Sequence, residues 1–286
     1  MAAGKKKHSQ LRVVWRRLKK NKLSMVGLAI VCVLAFCAVF ADFIAPYPYD
    51  QMNLLNTFQM PCREHLLGTD NFGYDILSRL IYGSRVSLIV GFISVGIGLL
   101  FGGLLGSISA FYGGKTDNII MRGMDIMMSI PDLLLAISIA ASMGPGLTNA
   151  MIAVGISSIP SYARIVRASV LSTKEQEYIE AARAIGAGDK RLILKHIIPN
   201  SFAPVLVQAT LGVANAILVT SALSFIGLGI QPPKPEWGAM LAAGRSYIRD
   251  FWPIVTFPGI AIMITIIALN LLGDGLRDAL DPRLKQ

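Results

Sequence analysis

The sequence is poor in the residues that metal proteins and many enzymes depend on. Among its 286 residues there are three cysteines and three histidines. They form no cluster in the chain: Cys32, Cys37, Cys62, His8, His65 and His196. This pattern excludes a disulfide framework and a compact metal site, and no nucleophile and base stand at a spacing that suggests acyl or glycosyl chemistry. We therefore expect no catalytic residue, no metal, no cofactor and no enzymatic activity.

Charged residues are also scarce. They make up 15% of the chain, whereas hydrophobic residues make up 53% and the mean hydropathy is +0.57. These values exclude an ordinary soluble domain. Six runs are long enough to cross a bilayer as helices, so we predict an all-α membrane protein with six transmembrane helices. Their approximate bounds are Leu23–Ala45, Val86–Ala110, Ile119–Ser142, Asn149–Val166, Pro204–Leu228 and Ile254–Leu272. The fourth run is the weakest, because Pro160 and three serines interrupt it.

Basic residues exceed acidic ones, with a formal net charge of +10. Most Lys and Arg residues lie before residue 23, between residues 164 and 195, or in the C-terminal tail. By the positive-inside rule, this bias predicts that both termini and the 172–199 segment are cytoplasmic, in a multi-pass protein of the cell membrane. The excess of positive charge then serves orientation and lipid contact, and no nucleic-acid partner is expected.

These patterns divide the chain into five parts. Residues 1–22 are predicted to form a basic, amphipathic cytoplasmic segment, with Leu11, Val14, Trp15 and Leu18 on one helical side against the inner leaflet. Residues 23–45 form the first transmembrane helix, retained as an anchor because its apolar run is too long for a cleavable signal peptide. Residues 46–85 form an extracytoplasmic loop with an interfacial helix that Asp75 caps. Residues 86–272 form the core with five transmembrane helices, and residues 273–286 form a cytoplasmic tail.

A polar island interrupts the apolar core at residues 172–199. Two S/T-x-x-E/Q capping boxes, from Ser172 and Thr173, predict a helix that starts near Lys174. Gly186 and Gly188 can end it, and Asp189 can cap a second helix that Pro199 closes. Ala181 and Ala182 give the first helix a side with little bulk, which a partner could approach closely. On these residues alone, an ordinary amphipathic loop remains the alternative.

The island resembles the EAA loop of ABC importer permeases at Glu180, Ala181, Ala182, Gly186, Ile198 and Pro199. The ending KHIIPN is similar to the dipeptide, oligopeptide and nickel branch of that family. The segments 65–88, 224–241 and 273–286 are similar to the same branch, the latter two to its C-type dipeptide permease subunits. Tyr74 departs from the pattern, since an arginine is common there.

The resemblance implies a type I ABC importer permease fold with a cytoplasmic coupling helix, in which Glu180, Ala181, Ala182 and Gly186 contact an ATPase. It also implies a homologous second permease subunit, two ABC ATPase subunits that hydrolyse ATP, and an extracytoplasmic substrate-binding protein. Transport by alternating access would carry dipeptides or oligopeptides, with nickel or a metal chelate as the alternative. The GGKT sequence at residues 113–116 resembles the end of a phosphate-binding P-loop, but the earlier glycine and the preceding strand of that motif are missing. We therefore expect no ATP binding there. An ion-coupled transporter is a weaker alternative, because deep charges are few and no repeat is evident.

Several single residues carry further predictions. Asp132 is a carboxylate deep in the third run, where it either accepts hydrogen bonds within the bundle or lines a translocation pathway. Arg122 and Asp125 are expected to neutralise each other at i and i+3. Trp237 and Trp252 are expected to anchor a shallow outer element at the membrane interface. Glycines that recur every four residues predict a close packing seam, either within the bundle or at a partner subunit: Gly98, Gly102 and Gly106.

Overall fold

The computed structural model describes residues 10–280, with side chains from residue 14 onward, and this part is helical. The predictions for residues 1–9 and 281–286 and for the Leu11 side chain lie outside it. Short 3₁₀ turns occur at Leu54–Asn56 and Arg245–Tyr247, and a π-helical turn at Leu192–Ile197. The helices are α1 Gln10–Leu18, α2 Lys22–Val39, α3 Ala41–Ile44, α4 Ile76–Tyr112, α5 Gly114–Met128, α6 Asp132–Met143, α7 Leu147–Lys174, α8 Glu177–Ala184, α9 Asp189–Arg191, α10 Ile198–Phe225, α11 Trp237–Gly244 and α12 Pro253–Leu280.

Four helical segments of the described residues are long and apolar enough to cross a membrane: α2, α4, the segment 189–225 that includes α10, and α12. The pair α5 and α6 forms a fifth, bent by 86° at residues 129–131. Together with α7 these segments account for the six predicted runs. Hydropathy underrates α7 because its polar residues face the bundle interior: Ser157 and Tyr162 are buried.

The two ends of the described chain pack together. The Arg17 side chain donates a hydrogen bond to the carbonyl of Ala279 at 3.3 Å, and Leu18 is buried. In α2, Gly27 lies against the backbone of Ala268 in α12. Trp15 remains exposed, so only part of α1 is free to rest on a membrane surface, and the predicted wholly interfacial helix is wrong at Leu18.

Helix α4 is continuous over 37 residues. Asp75 caps it as predicted, accepting a hydrogen bond from the Ser78 amide at 2.7 Å. The separate interfacial helix predicted before residue 86 is wrong, because its residues form the first turns of α4. Ile76 is buried rather than resting on lipid, and Arg79 donates to the carbonyls of Tyr49 and Pro233. These two segments, both distant in sequence from Arg79, cover the start of α4, so the helix runs on without a break.

The glycine ridge of α4 forms its seam with α7, as predicted. A Cβ on Gly102 would come within 2.5 Å of the Ile159 carbonyl oxygen, and one on Gly106 within 2.3 Å of the Ala163 carbonyl oxygen. Backbone contact this close is available only to glycine. The seam therefore holds α4 and α7 together through the centre of the bundle.

Two sequence-based predictions fail because distant helices supply the partners. Asp125 accepts a hydrogen bond from the Arg164 guanidinium at 2.6 Å rather than from Arg122, since α5 packs along α7. Trp237 is fully buried instead of lying at the interface, and its indole N–H donates to the carbonyl of Leu80 at 3.0 Å. Trp252 is exposed, as an interfacial residue would be.

Candidate functional site

Helix α8 and the turn that follows it rest on one end of the bundle. Ile179 is buried among Val170, Leu192 and Ile197, and Ala182 packs against the same cluster. Ala181, one residue before Ala182, is exposed. The two alanines of the predicted docking side therefore point in different directions, Ala182 into the base and Ala181 outward.

A stripe on the exposed side of α8 is more apolar than the sequence analysis recognised. Tyr178, Ala181 and Ile185 share one side of the helix at i, i+3 and i+7. Ile185 is 86% exposed, although it is a large aliphatic residue. The helical spacing of these residues could have revealed the stripe from sequence. Glu180 is also exposed, on another side of the helix.

Gly186 ends α8 as predicted, with φ +84°. The Ala187 amide donates to the carbonyl of Ala182, and the Gly186 amide donates to the carbonyl of Arg183. This pair of bonds is the Schellman arrangement, which satisfies the last carbonyls of the helix. The second predicted hinge glycine, Gly188, has φ −70° and does not use the left-handed region.

The predicted capping boxes do not form. Helix α7 continues to Lys174, and the Thr173 hydroxyl donates to the carbonyl of Ser169 at 2.8 Å and lies 3.1 Å from the Ser201 hydroxyl. Because it has these partners inside the bundle, it is unavailable as a cap. Asp189 likewise makes no cap hydrogen bond. Pro199 does not close a helix but lies in the first turn of α10, where proline is tolerated.

Polar contacts fix the end of α7 to its neighbours just before α8 begins. The Lys174 ammonium donates to the carbonyl of Phe111 at 2.8 Å, at the C-terminal end of α4, where a cation is favourable. About two turns earlier in α7, the Arg167 guanidinium donates hydrogen bonds to both carboxylate oxygens of Asp117 in α5, at 2.6 and 2.5 Å. Helix α8 therefore continues from a junction of three helices.

A polar cavity of about 310 Å³ lies between α4, α7 and α10. Its polar lining residues come from three of the helices and from the first turn of α6: Ser94, Asp132, Ser157, Ser158, Ser161, Tyr162, Gln208 and Asn215. On α10 the lining positions Gln208, Gly212 and Asn215 repeat with helical spacing, so one side of that helix faces the cavity. The cavity is a place where a polar solute can bind inside an otherwise apolar bundle.

Asp132 lies at the mouth of this cavity. It is the first residue of α6, immediately after the 86° bend, and it is exposed, as is Asn215. Its carboxylate makes no ion pair with any residue of the described chain. Of the two predicted roles, hydrogen bonding within the bundle is not seen at Asp132, whereas the carboxylate borders a cavity.

Comparison with known proteins identifies the family. The model of the binding-protein-dependent transport system inner membrane component matches residues 98–286. This chain belongs to that family. A second model, the N-terminal transmembrane domain of oligopeptide transport permease C, matches residues 9–61 of the permease, as the C-type resemblance predicted.

Relatives of nearly equal length support the same branch. The dipeptide transport system permease protein DppC of Alkalihalophilus pseudofirmus is 48% identical to this permease, over 97% of the chain and 91% of the relative. The di/tripeptide transport system permease protein DppC of Pseudomonas aeruginosa is 47% identical, over 97% and 93%. The Escherichia coli K12 dipeptide transport system permease protein DppC is 48% identical, over 96% and 94%.

Solved structures confirm the type I ABC importer permease fold. An inward-facing form of the MetNI methionine ABC transporter has a TM-score of 0.61 at 18% identity, covering 72% of this permease and 98% of that chain. An amino acid ABC transporter has a TM-score of 0.55 at 17% identity, covering 70% and 94%. At these identities the likeness concerns the fold.

Proposed function

We propose that this permease is the membrane subunit of an ATP-driven, binding-protein-dependent importer of dipeptides or oligopeptides. The observation that carries the proposal is the match to peptide permeases at 47–48% identity over more than nine-tenths of both chains. Peptide transport by those relatives makes peptides the first candidate cargo here. Alternating access between two sides of the bundle is the mechanism that the fold serves.

Helix α8 is the proposed coupling helix, and Glu180, Ala181, Ala182 and Gly186 are its proposed ATPase-coupling residues. Its exposed side offers Tyr178, Ala181 and Ile185 to a groove on an ABC ATPase subunit. Ala182 and Gly186 hold the shape of this surface, one by packing and the other through its left-handed backbone. Exposed apolar side chains of this size favour a protein partner. ATP hydrolysis then belongs to two separate ATPase subunits.

A second, homologous permease subunit is the proposed partner at the cavity mouth. A carboxylate near the centre of a bilayer costs about 2.5 to 3.5 kcal/mol on insertion scales. Exposed Asp132 therefore needs protein or water opposite it instead of lipid, and a second subunit supplies both by closing a shared pathway. Asp132 is accordingly a proposed pathway residue. An extracytoplasmic binding protein would deliver cargo at the other end.

The proposed orientation has both termini and α8 in the cytoplasm of a cell whose inner membrane holds the permease. The start of α2 lies beside the end of α12, while the end of α2 lies beside the start of α4, where Arg85 donates to the carbonyl of Ala38 at 2.8 Å. The ends of α4 and α12 are therefore on one side, together with α8. Most basic residues lie on this side as well, which favours the cytoplasm.

Nickel or a metal chelate is the second candidate cargo within the same branch. Imidazole is a ligand that suits nickel, and the residues that line the cavity include no histidine. Within residues 10–280 no group of three His, Cys, Asp or Glu residues could hold a metal ion. These observations favour peptides.

The test is reconstitution of the complete transporter in proteoliposomes. Wild type should import a radiolabelled dipeptide, but not radiolabelled nickel, and should require ATP. Ala181→Trp, which places a bulky ring where the partner approaches closely, and Ile185→Ser, which removes an interface anchor, should each lower both uptake and binding-protein-stimulated ATPase activity by about tenfold or more. Arg183→Ser, on another side of α8, is the matched control and should retain activity.

Three outcomes would contradict parts of this assignment. Nickel uptake without peptide uptake would assign the cargo to metal. Unchanged transport in both α8 variants would remove the coupling surface. Uptake that persists without ATPase subunits would favour the ion-coupled class of transporter.

A further inference from the structure

The polar cavity has hydrogen-bonding capacity that the protein itself does not use. The side chains of Ser161, Gln208 and Asn215 line it and bond to no other residue of the described chain. The hydroxyls of Ser157 and Ser158 donate to carbonyls of their own helix, Val154 and Gly155, which leaves their oxygens able to accept further bonds. The cavity therefore offers both donors and acceptors along α7 and α10.

Tyr162 adds an independent observation. The residue is 3% exposed, and its hydroxyl has no hydrogen-bond partner in the described chain. Its ring is held where α4 lacks side chains, at Gly98 and Gly102, and its hydroxyl reaches the position that a Cβ on Gly212 would occupy. Burying an unpaired hydroxyl is unfavourable. A tyrosine that is kept unpaired at a cavity wall points to a ligand that pairs with it.

The charge of the lining sets the chemistry of that ligand. Asp132 is the one ionisable carboxylate among the lining residues, and no Lys or Arg accompanies it. A ligand bound here presents a cation to the mouth of the cavity and neutral polar groups to its wall. The remaining lining is small and aliphatic, including Val95, Val154 and Ala216, so it accommodates side chains without selecting among them.

We infer that this cavity is a transit site for a short peptide, with its α-ammonium group at Asp132 and its peptide-bond groups along the α7 and α10 walls. The Tyr162 hydroxyl donates to a peptide carbonyl oxygen in this arrangement. Recognition through the ammonium and the backbone is independent of side-chain identity, which suits an importer that carries many peptides. The inference rests on the proposed function and specifies how the cargo is held.

Photolabelling tests the site directly. The probe is a dipeptide of alanine and photoleucine, used at millimolar concentration on the ATP-free complex with no binding protein present. Mass spectrometry should find the label on the helices that wall the cavity, in residues 147–174, in residues 198–225 or at Ser94 and Val95 of α4. Excess dialanine should abolish the labelling, whereas N-acetyl-dialanine at the same concentration should leave it, because acetylation removes the ammonium charge.

Variants test the individual contacts. Asp132→Asn should reduce both the labelling and kcat/KM for dipeptide uptake by about ten- to hundredfold, and Asp132→Glu should restore part of each. Tyr162→Phe, which keeps the ring packing, should reduce both by a few fold. Ser138→Ala, an exposed residue of α6 whose hydroxyl bonds within its own helix, is the matched control and should label and transport like wild type.

The outcomes separate this inference from the proposed function. Labelling only at residues that do not line the cavity, or equal competition by both dialanine forms, would overturn the transit site even if one variant fails to fold, since wild type alone gives that result. Normal labelling and uptake in Asp132→Asn would overturn the role of the carboxylate while peptide import stands. Absence of dipeptide uptake by wild type would instead overturn the proposed function.

Discussion

At the scale of single residues, Glu236 is a buried carboxylate that forms no ion pair within residues 10–280. It is 2% exposed and accepts hydrogen bonds from the amides of Gly238 and Ala239 at 2.8 and 2.9 Å, which caps α11. The Ser221 hydroxyl lies 3.5 Å away. Burial raises the pKa of this carboxyl above its ordinary value, although the hydrogen bonds oppose the change. Burial likewise raises the pKa of Asp70, which lies in the segment before α4.

These raised pKa values predict a pH-dependent stability. The folded protein holds protons on Glu236 and Asp70 that the unfolded chain has released, so the free energy of unfolding falls as pH rises from the unfolded pKa through the folded one. The midpoint of thermal unfolding in detergent should therefore decrease as the pH rises above the ordinary pKa range of a carboxyl group. In Glu236→Gln the unfolding midpoint should decrease less with pH, and the remaining side-chain oxygen should still accept a hydrogen bond from the first amides of α11. Exposed Glu64→Gln should leave the slope as it is, and an unchanged slope in Glu236→Gln would contradict the assignment.

Gly186 and Gly188 form a matched pair at the end of α8. A side chain at φ +84° is strained by about 1 kcal/mol or more, whereas φ −70° suits any residue. Gly186→Ala should therefore lower ATP-dependent uptake several-fold by displacing Ile185. Gly188→Ala should transport at the wild-type rate. Equal rates in the two variants would mean that the shape of this turn is unimportant.

The residues that sequence reasoning placed correctly are those with local partners. Asp75 and Gly186 act within one turn of their own helices, so their capping roles follow from short motifs. Asp125 and Trp237 were misplaced because their partners, Arg164 and the Leu80 carbonyl, are 39 and 157 residues away. Ile185 is absent from the predicted site for another reason. The EAA motif consists of small residues and Glu180, and it does not include the large residue before Gly186.

At the scale of elements, the seam between α4 and α7 holds the centre of the bundle. Its glycines alternate with positions that face open space: a Cβ on Gly102 would collide with α7, whereas nothing lies within 4 Å of one on Gly103. Since lipid supplies no hydrophobic drive for helix association, close backbone packing contributes much of the attraction here.

Adjacent substitutions should separate these two environments. Gly102→Ala overpacks the seam and should destabilise the protein by about 1 to 3 kcal/mol. Gly103→Ala removes a flexible residue from the same helix and should be neutral or stabilising by up to about 1 kcal/mol. Thermal unfolding of the purified variants measures the difference. Comparable loss of stability in both would show that backbone flexibility, not contact, governs this region.

Hydrophobic length predicted the spans better than it predicted their ends. The sequence predicts an interfacial helix at the start of α4 because it does not reveal that residues 45–75 and Trp237 cover this end. The third run, residues 119–142, is predicted as one span, whereas α5 and α6 meet at 86°, because hydrophobic length carries no information on the angle of a break. The run that becomes α7 is the weakest of the six predicted spans, because hydropathy does not distinguish polar residues that face a cavity from those that face water.

At the scale of the whole molecule, α8 and the segment before α4, residues 45–75, lie at opposite ends of the bundle. Leu55, in residues 45–75, is 95% exposed, and Asp189 is exposed beside α8. In a background in which Cys32, Cys37 and Cys62 are replaced by serine, Leu55→Cys should react with an impermeant maleimide on intact cells. Asp189→Cys should react only after the membrane is permeabilised. Reaction of Asp189→Cys on intact cells would reverse the proposed orientation.

The unbroken length of α4 has a mechanical consequence. Its 37 residues extend about 55 Å, with the outer end fixed beneath Trp237 and the inner end held by Lys174. A continuous helix that is held at both ends contains no break that could absorb a movement. Tilting it at one end of the bundle must shift it at the other, so under the proposed alternating access the opening of one side and the closing of the opposite side become a single movement.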